Sequence, residues 1–173
     1  MKKASLFPVF LLLCTFLFAC STTIEDEKEK TLEEVEQLFT DEPKRTNEDT
    51  EALSLRLPFG VSMVEESDHN IILEKSNATF VLFHHFNEQA GNDVIYTMTV
   101  NHVDDPWLIN ETFEEDDRFG YVLVRQMDEE HYELVTGINH AKITTISDLD
   151  SLSSNAKWMM ETVSSVKWED TTE

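Results

Sequence analysis

The chain has 173 residues, with 35 acidic side chains against 13 basic and a formal net charge of -22 at pH 7. Binding to nucleic acid draws its affinity from Lys and Arg neutralising phosphates, so this charge excludes nucleic acid as an expected partner. With 40% apolar residues, eleven Phe and three Trp among them, the chain is too hydrophobic to be wholly disordered and long enough for one ordinary domain with tails.

The N-terminus opens with Lys2 and Lys3, continues with an apolar run from Leu6 to Phe18, and reaches Leu17-Phe18-Ala19-Cys20. The run is short of the roughly 20 apolar residues that span a bilayer as a helix, and it has the form of a secretion signal over residues 1–19. The string Leu17-Phe18-Ala19-Cys20 resembles the lipobox of bacterial lipoproteins. That resemblance implies cleavage after Ala19, a diacylglycerol on the Cys20 thiol and acylation of the new amino terminus. Two acyl chains or more hold a protein stably on a membrane without a transmembrane helix, so the expected location is the extracytoplasmic face of the cell membrane. The competing readings are a plain secretory signal and an uncleaved anchor in which Cys20 is an ordinary thiol. Under the lipobox reading Cys14 leaves with the signal and Cys20 is consumed by lipid. The mature chain then has no free thiol, which excludes a disulfide scaffold, a cysteine nucleophile and a cysteine metal site. Asn77-Ala-Thr79 and Asn110-Glu-Thr112 match the N-glycosylation sequon, but a lipobox implies a bacterium and both strings read as accidental.

Residues 20–52 are mostly Glu, Asp, Lys and Thr and read as an acidic, solvated tether that like-charge repulsion extends. Within it Thr31-Leu-Glu-Glu34 has the capping-box form, and Leu32, Val35 and Phe39 follow at helical spacing, which predicts a short helix over residues 31–39. That helix is either a frayed turn or a segment that docks on the domain or on a partner. One domain is expected over residues 53–169, followed by a tail at 170–173.

Inside the domain, Leu53, Leu55 and Leu57 alternate with polar residues up to Pro58-Phe59-Gly60, and strands are predicted over Val61 to Val64 and Ile71 to Glu74. The apolar run Ala78 to Phe86 predicts a central strand covered on both faces. Val94 to Val103, with Tyr96, Met98 and Val100 alternating, predicts another strand. Asp105-Pro106 reads as a helix start, with Trp107, Leu108, Ile109 and Phe113 on a short central helix that ends near Gly120. Tyr121 to Gln126, Tyr132 to Ile138 and Ala141 to Ile146, joined by short connections, predict an antiparallel meander. Leu149, Leu152, Ala156, Met159, Val163 and Val166 recur at spacings of three and four behind Asp148, a helix cap, and predict a closing amphipathic helix. The expected class is therefore α+β, an antiparallel sheet flanked by a short central helix and a C-terminal amphipathic helix. The entry Leu57-Pro58-Phe59-Gly60 and the closing Met159-Met160-Glu161-Thr162-Val163-Ser164-Ser165-Val166 resemble the PsbP-like fold. That resemblance implies a binding or assembly role and carries no active site over.

Few side chains suggest chemistry. The runs Glu114-Glu115-Asp116-Asp117 and Asp128-Glu129-Glu130-His131 are weak divalent-cation candidates, because calcium wants six to eight spaced oxygens and neither run has the spacing or glycine of an EF-hand loop. Adjacent strand residues face opposite sides, so His84 and His85 cannot chelate one ion from a regular strand, and they read as strand residues with hydrogen-bonded rings. His69, His102, His131 and His140 fall near turns and read as surface side chains. Ser154-Asn155-Ala156-Lys157 has the Ser-x-x-Lys form of penicillin-binding proteins but lies off the apolar stripe, without that family's other motifs. No catalytic residue, cofactor or firm metal site is assigned. Trp158 falls about 200° from Ala156 on the helical wheel, opposite the apolar stripe, which suggests cover by a loop, by the 31–39 segment or by a partner protein. The function expected is a lipid-anchored, non-enzymatic binding or assembly module of the bacterial envelope, with the membrane and an envelope protein as partners. The alternatives are a divalent-cation or envelope-stress module using the acidic loops, and a hydrolase.

Overall fold

The computed structural model describes residues 23–85, 87, 91–103 and 105–169. The expected signal segment, Cys20 and the expected tail at 170–173 lie outside these residues. The chain is an α+β domain: helix α1 (Ile24–Thr40), short strands β1 (Glu48–Asp49) and β2 (Leu53–Leu55), strands β3 (Val61–Glu66), β4 (Asn70–Lys75) and β5 (Ala78–His84), and helix α2 (Val94–Asn101). Strands β6 (Ile109–Glu115), β7 (Arg118–Gln126), β8 (His131–Ile138) and β9 (Ala141–Asp148) follow, then a 3-10 turn (Leu149–Ser151), helix α3 (Leu152–Ser164) and strand β10 (Lys167–Trp168).

Seven strands form one antiparallel sheet in the order β3-β4-β5-β9-β8-β7-β6, and β1, β2 and β10 form a smaller one. Local chemistry sets the turns. Ser76 and Asn77 both adopt positive φ (52° and 67°) between β4 and β5, the backbone that a two-residue hairpin of right-handed twist requires. Asn139, at φ 48° between β8 and β9, accepts from the Phe119 N–H through its side chain at 2.7 Å. At the far end of β9, the Asp148 carboxylate accepts from the Ser151 N–H at 2.8 Å and starts the closing helix as its sequence predicts.

Helices α1 and α3 pack together on one face of the large sheet. The core there includes Val35, Phe39, Phe80, Leu82, Val122, Val124, Leu134, Ile143, Met159 and Val163. On the opposite face the short α2 lies over the sheet, where Tyr96, Val100, Trp107 and Phe119 surround buried Tyr121, Leu123 and Val135.

The structure corrects four expectations. The 31–39 segment is the second half of a 17-residue helix that starts at Ile24, so the stretch expected to be a solvated tether is instead largely part of the folded unit. A capping box between Thr23 and Asp26 begins it, and Glu25, Asp26 and Glu27 oppose the positive end of the helix dipole. Its buried stripe, Glu27, Thr31, Val35 and Phe39, repeats every four residues, and two of those four residues are polar, which hid the stripe from a hydrophobic pattern.

The strand expected over 94–103 is helix α2, and the helix expected from Asp105 is strand β6. Tyr96 and Val100 lie one turn apart on the sheet, so the alternating apolar residues fit helical packing as well as a strand, and tertiary contact decides. Strand β6 pairs with β7 from Ile109↔Val124 to Glu115↔Arg118 and turns Phe113 towards Phe39, with ring centroids 5.6 Å apart. Finally, β5 is sealed on one face only: Phe80, Leu82 and His84 are buried, whereas Val81 and Phe83 are partly open.

Candidate functional site

Two clefts hold most of the chemistry. The wider, about 700 Å³, opens where the β3 end, the β3–β4 turn and the β5 end meet the small sheet. The strand end places Glu66, the turn places Asp68 and His69, β5 places His84 with His85 just beyond it, and β10 brings Trp168 and Glu169 from the far end of the chain. Backbone bonds hold these pieces in register: His84 N–H to His69 C=O at 2.9 Å, His85 N–H to His140 C=O at 3.0 Å, and Glu169 N–H to Ala52 C=O at 3.1 Å.

Inside the cleft the His69 ring centroid lies 5.0 Å from His85 and 6.2 Å from His84, and His84 lies 5.7 Å from Trp168. Glu66 accepts from the Glu51 N–H at 3.0 Å and Glu169 from the Ser54 hydroxyl at 3.0 Å. His84 is only 3% exposed, and its Nε2 has no hydrogen-bond partner among the described residues, contrary to the expectation of a bonded ring. Burial holds the His84 pKa below the usual histidine value, and the neighbouring His69 and His85 push the same way against the raising effect of Glu66. His140, expected at the surface, is buried and is likewise lowered, by burial first and then by His85.

The second cleft, about 320 Å³, lies between α2 and the sheet and is lined by Ile95, Met98, Trp107, Val135 and Lys142, among others. The Lys142 ammonium donates to the Thr99 hydroxyl at 2.9 Å. Burial lowers its pKa while Glu133 raises it. Arg125 pairs closely with Glu133, reaches Asp105 at 3.5 Å and sits 5.9 Å from the Trp107 ring centroid. The charged groups of this cleft thus find partners within the chain.

Of the remaining sequence candidates, Glu114, Asp116 and Asp117 line one shallow cleft with Asp93 and Arg118, and the others turn to structural work. Glu114 and Glu115 sit in β6 and Asp116 and Asp117 in the tight β6–β7 turn. Consecutive strand residues point to opposite faces. Among the described residues, no three His, Cys, Asp or Glu side chains converge as a metal site. Asp128 accepts at 2.9 Å from the N–H groups of both Glu130 and His131 and pairs with the His131 ring, bonds that hold its carboxyl below the usual range. Ser154 donates to the Ser151 carbonyl at 3.0 Å, and Lys157 pairs with Glu34 of α1 at 2.6 Å, so the Ser-x-x-Lys residues serve separate contacts.

Trp158 takes its cover from within the chain, from the sheet rather than from a loop or the 31–39 segment. It is 5% exposed, packs edge-on to Phe80 at 4.6 Å between centroids and donates to the Asn155 side chain at 3.2 Å. Helix α3 is covered by the sheet and by α1 at once, so a residue off its main apolar stripe still meets an internal neighbour. Sequence reading missed Trp168 and Glu66 as neighbours of the histidines, because they come from opposite ends of the domain; the His84-His85 pair was the one local signal.

Among the described residues no helix is long and apolar enough to cross a membrane. No family model matches the chain, and no curated protein and no solved structure is similar to it.

Proposed function

We propose that this protein is a lipid-anchored, non-enzymatic binding module on the extracytoplasmic face of a bacterial cell membrane, with the wide histidine-carboxylate cleft as its binding surface. The observation that carries the reading is the position of Cys20, in its lipobox string, only three residues before Thr23, the cap of α1. A lipid at Cys20 would then hold a domain that begins almost at once. The cleft supports a binding role, because it joins an open acidic rim to a buried imidazole nitrogen that the described chain leaves without a partner.

Intact mass and membrane fractionation of the native protein, beside a Cys20→Ser variant, test the anchor. A lipid-sized mass increment and membrane retention in the native form, both lost in the variant, are expected. An unlipidated, soluble native protein overturns the reading. Crosslinking of the anchored form then identifies its neighbours.

A further inference from the structure

We infer that the wide cleft is a site for a small aliphatic di- or polyamine, held by its rim carboxylates, the Trp168 face and the His84 imidazole. The inference gives a ligand class to the binding role proposed above and rests on it, but it does not depend on the anchor.

Four carboxylates, from Glu51, Glu66, Asp68 and Glu169, line the cleft, and no Lys or Arg is among its described lining residues. Glu66 and Glu169 each spend one carboxylate oxygen on an internal bond, which leaves the other for a ligand. Such a rim would by itself be a solvated acidic surface. What distinguishes it is His84, almost fully buried beside it with an Nε2 that no described residue meets. Buried polar groups are normally hydrogen-bonded, and leaving one unmet costs about 1–3 kcal/mol. In the tautomer protonated at Nδ1, His84 Nε2 is an acceptor, and burial together with its histidine neighbours favours the neutral ring. A buried acceptor on a ring that lines the cleft, carboxylates at the rim and an indole 5.7 Å from the imidazole all suit an ammonium group, which donates up to three hydrogen bonds and is drawn to an aromatic face.

The donor layout argues for several separated positive charges rather than one ion. A transition metal needs ligands about 2 Å from one point, and no three described donors converge in that way. A flexible chain with amines several ångströms apart can meet the carboxylates one by one, and the 700 Å³ volume falls in the range of small-molecule sites.

The test is calorimetric titration of the full chain in detergent with spermidine at pH 7.5, repeated with Glu66→Gln, with Trp168→Leu and with a Glu114→Gln/Glu115→Gln control on the remote hairpin. Saturable one-site binding is expected, weakened at least tenfold by Glu66→Gln, and by Trp168→Leu where that variant keeps its fold, but less than twofold by the control. The exposed Glu66 keeps the test decisive if Trp168→Leu fails to fold. Equal weakening in the control would reduce the effect to general charge attraction and overturn the site. No binding, or Glu66-dependent binding of a lysine-rich peptide or of zinc without spermidine, overturns the ligand class. Any of these failures leaves the Cys20 result standing.

Discussion

The carboxylate of Glu27, in the first helix, accepts a hydrogen bond at 3.0 Å from the backbone N–H of Ser153, in the first turn of the last. The two residues are 126 positions apart in the chain, and both are buried. Glu27 therefore satisfies a donor at the start of α3 that has no partner within that helix and places a negative charge at the positive end of its dipole. Replacing Glu27 with Ala leaves that N–H buried and unmet, at an expected cost of about 1–3 kcal/mol. Chemical denaturation of the variant measures it, and a loss below a few tenths of a kcal/mol would show that the contact is not stabilising.

The other end of α1 is fixed by shape. A side chain added at Gly120 would meet the Phe39 ring at 2.5 Å and 2.7 Å, while Arg118 lies over that ring at 4.8 Å and donates to the Phe39 carbonyl at 2.8 Å. Gly120→Ala is expected to cost about 1–3 kcal/mol through overpacking, and Phe39→Ala about 3–5 kcal/mol through the cavity it leaves. If α1 were a loosely attached arm, neither substitution would shift the unfolding midpoint of the sheet.

The same packing distinguishes a docked helix from a tether by proteolysis. Lys28 and Lys30 lie within α1, whereas Arg45 lies in the irregular segment that follows it. Limited trypsin treatment is expected to cut at Arg45 well before either lysine, and early cleavage at Lys28 or Lys30 would show an opened helix. Three residues reach about 10 Å at full extension, so lipid at Cys20 would also bring the start of α1 close to the bilayer, as fluorescence quenching from a labelled Thr23→Cys variant would report.

Trp158 should behave as a core residue. Trp158→Ala is expected to cost about 3–5 kcal/mol and to remove a blue-shifted emission component, whereas a partner-binding surface tryptophan would emit near the solvent value and leave stability within about 0.5 kcal/mol.

Acid should weaken the domain in the histidine range. His84 and His140 both have pKa values lowered in the fold, while an unfolded histidine titrates near 6.5. The unfolded state therefore binds more protons as the pH falls. Their stabilising contribution is complete above about 6.5 and declines as the pH drops towards the lowered folded values. Melting temperature is expected to fall between pH 7.5 and pH 5, and a His84→Gln/His140→Gln variant should flatten that slope. The lowered Asp128 carboxyl acts separately, its contribution disappearing only as the pH falls below about 4. A melting temperature constant from pH 7.5 to pH 5 would refute the histidine contribution.

By itself the sequence determined the elements whose pattern is local. The alternation through 121–126, 132–138 and 141–146, the spacing of three and four from Leu149 and the cap at Asp148 all reappear as β7, β8, β9 and the closing helix. Each depends on residues a few positions apart, which meet the same neighbours in any chain that forms the element. Tertiary structure decided the rest. The stripe through Glu27 and Thr31 is polar until Ser153 arrives to meet the carboxylate. The segment from Val94 fits both periods until Tyr121 and Leu123 offer it a surface, and β6 becomes a strand through its pairing with β7. Trp158 is buried because α3 meets the sheet and α1 together, and the histidine cleft exists because β10 carries Trp168 back beside β5. In each case the deciding partner lies far along the chain, where periodicity carries no information.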